Sequence, residues 1–253
     1  MKNKFMLVLG MIFGMMHAQY RTIDSYAFFA SYSFFKSDFG ARNDWNTNLH
    51  NNSYELGAKI FANPFPYSAY WGSHFKVYGE LHVLQGKLQH IGRWTEGPDS
   101  PMKDRLKAMK AKPFMAGFNL GFDFSLQDLR YYNFTESYGI YKFNAYIGLA
   151  VGAYYYKPNV YSELGDVNDP AEQISILIPR FVNKVYNDAG FVIAPSLHIG
   201  FTYQLNYYMQ IFWENRFTWF SSDRVDGLDV NDSADKYHDW LVSPSFGLLI
   251  VTP

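Results

Sequence analysis

Cysteine is absent from all 253 residues, which excludes disulfides, thiolate metal sites, cysteine nucleophiles and the N-terminal cysteine of a lipoprotein. Charge is scarce too: charged residues make up 18% of the chain, against ~25% in ordinary soluble domains. The formal net charge of -1 leaves no strong field to draw nucleic acid or acidic substrates. Beyond Met16 there is no long apolar run, so no later helix is offered that could span a bilayer.

Aromatic side chains, by contrast, are plentiful at 20%, with 21 Tyr and 23 Phe, and something apolar must absorb those rings. The N-terminus carries Lys2 and Lys4, then the apolar run Phe5 to Met16, then His17, Ala18 and Gln19. This is the layout of a secretory signal peptide cut after Ala18, since the run falls short of the ~20 residues a spanning helix needs. Residues 1–18 are therefore expected to be a leader and residues 19–253 a single mature domain, exported past the inner membrane.

Period-2 alternation dominates the mature chain. In Phe114 to Ser125, Phe114, Ala116, Phe118, Leu120, Phe122 and Phe124 share one face, while Asn119, Asp123 and Ser125 share the other with two glycines. The same pattern returns over Tyr26 to Phe34, where Phe29 and Phe35 break it, and over Tyr54 to Phe61. It continues over His74 to Gln85, Phe143 to Tyr156 with a small inner face, Phe191 to Gln204, Tyr208 to Phe220 and Trp240 to Val251. Eight strands result, each near the ~9–11 residues of a tilted membrane strand. The connections after strands one, three, five and seven are long and the others shorter. With the N-terminus in the periplasm, every long loop falls outside.

A soluble sandwich alternates as well, with its bulky face buried and its charges in water. Against it stand the second faces of strands four, five, six and eight, which are Gly, Ala, Ser and Asn with little Lys or Glu. Tyr and Trp also gather at strand ends, at Tyr154 to Tyr156, Tyr207, Tyr208, Trp219 and Trp240, as interfacial girdles do. The expected fold is all-β, an eight-stranded antiparallel transmembrane β-barrel with long extracellular loops. On this pattern, and with Ala18-Gln19 closing the leader, the chain resembles the small outer-membrane β-barrel proteins of Gram-negative bacteria, particularly those of Bacteroidota. The resemblance implies an architecture and an outer-membrane address without an activity. One departure is the ending Ile250, Val251, Thr252, Pro253 where such barrels finish on an aromatic residue, which leaves Phe246 and its neighbours to be read by the assembly machinery.

Inside such a barrel Glu55, Lys59, His74, Lys76, Glu80, His82, Asn119, Asp123, His198, Glu214 and Arg216 meet in a lumen only wide enough for side chains. The plain reading is an ion-paired, hydrogen-bonded plug. The sharper ones are a narrow path for ions or small solutes, or a catalytic site. Glu80 and His82 lack metal-ligand spacing, so no metal or other cofactor is expected. Ser196 and His198 share a face with Glu214 on the next strand, the elements of a lipid-directed hydrolase, although inward polar residues of adjacent strands always offer such triplets. The acidic run Asp226, Asp229, Asn231, Asp232, Asp235 and Asp239 fails as a calcium loop at Ala234 and Trp240 and reads as a solvated loop.

Two loops carry helix signals. Ser100 and Pro101 start a basic amphipathic segment with Met102, Leu106 and Met109 on one face and Lys103, Arg105, Lys107, Lys110 and Lys112 around it, suited to lipopolysaccharide phosphates. Asp169, Pro170 and Glu172 form a capping box before Ile174, Leu177, Ile178, Phe181, Val182 and Val185. That apolar segment is either a lid over the barrel mouth or a docking surface for a protein partner. The functional expectation is a non-enzymatic structural or interaction component of the outer membrane, with a channel and a lipid-directed enzyme as alternatives.

Overall fold

Alternation sorts side chains onto two faces, and strand pairing decides which face is enclosed. The computed structural model describes residues 24–41, 44–63, 71–129, 142–206, 208–230 and 239–252. The leader, Tyr207, Asn231, Asp232 and Asp235 lie outside them. Its ten strands are β1 (Ser25–Lys36), β2 (Asn52–Ala62), β3 (Phe75–Gln89), β4 (Met109–Ala111), β5 (Phe114–Ser125), β6 (Phe143–Lys157), β7 (Val160–Ser162), β8 (Gly190–Gln204), β9 (Met209–Trp219) and β10 (Trp240–Val251).

All but β4 and β7 pair in one antiparallel ring, β1-β2-β3-β5-β6-β8-β9-β10, which closes where β1 meets β10 from Ser25↔Val251 to Lys36↔Trp240. This is the expected eight-stranded barrel, and closure leaves it no edge strands. β4 and β7 are short pieces that continue from the loop end of β3. β3 itself runs on to Gln89, past the end at Gln85 read from alternation, because Gly86 and Lys87 still pair with Ser53 and Asn52.

The greasy face points out. Phe28, Leu56, Leu81, Leu120, Val151, Ile193, Trp219 and Phe246 are exposed, one from every barrel strand, while Ser31, Glu55, Glu80, Asn119, Asn144, His198, Glu214 and Ser245 are buried on the inner face. A soluble sandwich would show the reverse. The two residues that break the first alternation are inward rings: Phe29 is buried in the lumen and Phe35 under the loops.

The inner face of β6 is not small. Tyr146, Tyr154 and Tyr156 are buried on it, so the aromatic cluster at 154–156 contributes only Tyr155 to the outer surface. Rings fit here because glycines on the neighbouring strands make room; a Cβ on Gly117 would collide with the Tyr154 ring and one on Gly200 with Tyr146.

The described parts of the connections, 37–41, 44–51, 90–113, 158–189, 220–230 and Asp239, gather at one end, opposite Ser25 and Val251. They carry three short helices, α1 (Trp45–His50), α2 (Pro101–Ala108) and α3 (Pro170–Ile176). α1 stands in the long connection after the first strand, and its N-cap Asp44 accepts from the Thr47 amide at 3.2 Å and the Thr47 hydroxyl at 2.8 Å. α2 starts as read, with the Ser100 hydroxyl accepting from the Lys103 amide and Pro101 in the first turn, but Met109 leaves it for β4 and is buried.

Candidate functional site

Four inner-face charges meet near the middle of the lumen. Lys59 on β2 sets Nζ 2.9 and 2.7 Å from the two carboxylate oxygens of Glu214 on β9 and 3.3 Å from Glu80 Oε2 on β3. Arg216 donates from Nη2 to Glu80 Oε2 at 2.5 Å and to Glu214 Oε1 at 2.8 Å, and from Nη1 to Glu80 Oε1. Asn119 Nδ2 donates to Glu80 Oε1 at 2.8 Å and the Tyr146 hydroxyl to Glu214 Oε2 at 3.1 Å. The rings of Phe29, Tyr78 and Phe212 surround the Lys59 ammonium at 5.6, 4.9 and 5.8 Å from their centroids. Beside this group His82 Nδ1 bonds Glu55 Oε1 and lies 3.3 Å from Glu80 Oε1.

All eleven predicted lumen residues are buried, and the structure joins nine of them in two sets. Glu55, Lys59, Glu80, His82, Asn119, Glu214 and Arg216 form the central set. His198 and Asp123 pair separately at 2.7 Å, with the Tyr78 ring between the sets, 5.7 Å from the His198 ring. Nearer the termini, Lys76 faces Asp24 at 3.3 Å and His74 Nδ1 meets the Ser125 carbonyl at 2.8 Å. In a low-dielectric interior, desolvation offsets most of the Coulomb attraction. The network therefore spans the lumen while adding little net stability.

Two glycines determine which groups meet. Asp123, Gly148 and His198 are in register on β5, β6 and β8, so the acid and the imidazole, two strands apart, join over a position without a side chain. A Cβ on Gly148 would collide with both. Likewise His82, Gly117 and Tyr154 are in register on β3, β5 and β6, and the two rings approach to 5.2 Å across the glycine.

This arrangement leaves the hydrolase constellation unassembled. His198 Nε2 is turned to Asp123, and Glu214 is held by Lys59, Arg216 and Tyr146. A group that spacing within one strand did not reveal is Glu55, Glu80 and His82, whose ligand atoms lie within 4.8 Å of one another. Glu55 arrives from the adjacent strand, which strand periodicity cannot show. A cation there would have to compete with Arg216 and Lys59 for Glu80.

Over the network the loops pack a second, apolar core that includes Phe35, Leu88, Met109, Leu177, Phe181, Val225 and Leu228. This corrects the docking-surface reading of the 174–185 segment. Leu177 and Phe181 are buried in this cap, Ile178, Val182 and Val185 pack against it, and only Ile174 stands exposed. Pro179 explains the geometry: a residue before proline avoids helical backbone, and α3 ends at Ile176, so the apolar side chains fold inward instead of lining one helix face. The capping box is also absent. Asp169 accepts from the Ala171 amide at 2.9 Å, while Glu172 reaches the Asp166 amide at 2.8 Å.

The acidic loop is not simply solvated. Asp226 and Asp239 are buried, and Asp226 accepts from the Asp38 and Leu228 amides at 2.9 and 2.8 Å, holding two loops together. His90 holds a third contact: its Nδ1 accepts from the Gly40 amide at 2.8 Å, with its ring 5.0 Å from Phe39 and 5.3 Å from Phe181. Burial, with the nearby Arg180 charge, pushes its pKa down to about 3. Of the basic residues around α2, Lys103 bonds the Glu96 carbonyl, Arg105 the Leu177 carbonyl at 3.2 Å, Lys107 Asp99 at 3.5 Å and Lys110 Glu163. Lys112 is exposed, and its ammonium lies 5.5 Å from the Tyr161 ring centroid.

No protein-family model and no curated protein sequence matches the chain. Solved structures similar to it include Ail, the attachment invasion locus protein of Yersinia pestis, at 9% identity and a TM-score of 0.43, covering 92% of this chain and 100% of that one. Neisserial surface protein A is similar at 11% identity and a TM-score of 0.41, over 90% of this chain and 96% of that one. The outer membrane protease OmpT of Escherichia coli is similar at 7% identity and a TM-score of 0.38, over 91% and 97%.

Proposed function

We propose that the chain is an outer-membrane β-barrel, delivered by its leader, that serves as a non-enzymatic structural or interaction component and not as a channel. Support for the membrane comes from the apolar belt contributed by every barrel strand, which water would not tolerate on a monomer and lipid would cover. The finer likeness to Bacteroidota barrels rests on Ala18 and Gln19, which are outside the described residues.

The observation that carries the closed reading is the double obstruction of the lumen. Arg216, Lys59, Glu80 and Glu214 bridge its middle, and the apolar cap lies over its loop end. With the interior filled, contacts are left to the outer surface and the loops. Planar-bilayer recording tests this: the wild type should give no steady conductance, and neither should Glu80→Ala or Arg216→Ala while the cap is intact. Steady single-channel steps from wild type would establish the channel instead. Altered lipid A or phospholipid mass spectra on overexpression would show an enzyme. Heat-modifiable gel migration of membrane-extracted protein checks the barrel in its membrane.

A further inference from the structure

On the outer wall, just below the loops, lies an open cleft of about 1000 Å³ that neither the lumen network nor the cap uses. Its charged side chains are Lys87, Lys112 and Lys157, and among the described residues no carboxylate lines it. The three lysines come from neighbouring pieces of backbone. Lys87 is next to Gly86, whose amide donates to the Pro113 carbonyl at 2.8 Å, and the backbone amide of Lys112 donates to the carbonyl of Asn159, two residues after Lys157, at 3.0 Å. Below them the wall turns apolar, with Tyr54 70% and Phe114 38% exposed at the upper border of the belt. The remaining lining is rich in amides, Asn159 among them.

Each feature matches one part of an amphiphile. Three cations without a counter-carboxylate suit phosphate, amides suit sugar hydroxyls, exposed rings suit an acyl chain, and a volume of about 1000 Å³ is far more than one phosphate fills. We propose that this cleft binds the phosphorylated sugar headgroup of an outer-leaflet glycolipid of the lipopolysaccharide type. The phosphate lies on Lys87, Lys112 and Lys157, and the first acyl chain lies over Tyr54 and Phe114. The inference rests on the membrane placement proposed above, with the loop end outward.

The test uses the full mature chain in phosphatidylcholine nanodiscs and measures binding of bisphosphorylated lipid A, the same lipid A dephosphorylated, phosphatidylglycerol and inorganic phosphate. Wild type should retain bisphosphorylated lipid A, and Lys87→Ala/Lys112→Ala/Lys157→Ala should weaken it on the order of a hundredfold, from a few-fold per lysine near a membrane surface. These side chains are exposed, and unchanged heat-modifiable migration of the variant shows that it still folds. Equal binding by the triple variant or by dephosphorylated lipid A would overturn the proposal. Phosphatidylglycerol or inorganic phosphate binding as tightly through the same lysines would overturn the glycolipid assignment. Wild type that fails to enter nanodiscs would instead sink the membrane placement, and this site with it.

Discussion

Arg216 and Glu80 face each other across the full diameter of the barrel, Nη2 to Oε2 at 2.5 Å, from strands that stand opposite in the ring of eight. Both side chains are buried, and each supplies part of the other's counter-charge, Glu214 and Lys59 supplying the rest. Arg216→Ala should lower unfolding stability in detergent by ~3–5 kcal/mol, the cost of stranding buried carboxylates. The double variant Arg216→Ala/Glu80→Ala should be less destabilised than the sum of the single changes, because it leaves fewer unmatched charges. Additive losses in chemical denaturation would show that the pair is not coupled.

Gly148 should resist any side chain. Gly148→Val places atoms where His198 and Asp123 meet, and overpacking of this kind costs ~1–3 kcal/mol. Gly79 is the matched control, because a Cβ there would have nothing nearer than Leu120 at 3.8 Å. The temperature at which the folded gel band disappears should fall for Gly148→Val and stay within a degree or two of wild type for Gly79→Ala.

His90 makes the cap acid-sensitive. Its pKa in the closed cap is about 3 against ~6.5 in an opened one, so opening takes up a proton at any pH between these values. A folded pKa below the unfolded one means that stability is complete above ~6.5 and declines as pH falls towards 3, with the opening constant rising up to about tenfold per pH unit. The proton would also oppose the Gly40 amide, which now donates to Nδ1. Hydrogen exchange of the amides around Phe39 and Phe181 should accelerate over this window beyond the intrinsic pH effect. In His90→Phe the excess should vanish.

Phe181 belongs to the cap and Ile174 does not. Phe181→Ala should destabilise the closed loops by ~3–5 kcal/mol and raise protease sensitivity between 158 and 189, whereas Ile174→Ala should change neither. Equal protease sensitivity in the two variants would count against a packed cap.

The belt should reject charge. Leu120→Arg on the outer face should cost ~2–4 kcal/mol if lipid covers it, and Leu49→Arg on α1 much less, measured by folding yield into liposomes. Tolerance of both would count against the membrane reading.

Alternation alone determined a great deal. A period of two is a local property of the backbone, so Glu55, Lys59, Glu80, Asn119, Asp123, Glu214 and Arg216 were legible as one inner face, and eight such segments as a barrel. Tertiary structure decided what met what. That Arg216 reaches Glu80 across the lumen, that Asp123 and His198 join over Gly148, and that Glu55 stands beside His82 all depend on ring closure and register between strands distant in sequence. It also decided the direction of ambiguous apolar groups. Tyr154 and Tyr156 turned inward, and Leu177 and Phe181 closed over the mouth. Hydrophobicity requires a side chain to be covered but does not say by what, and only the assembled barrel and loops supplied the cover.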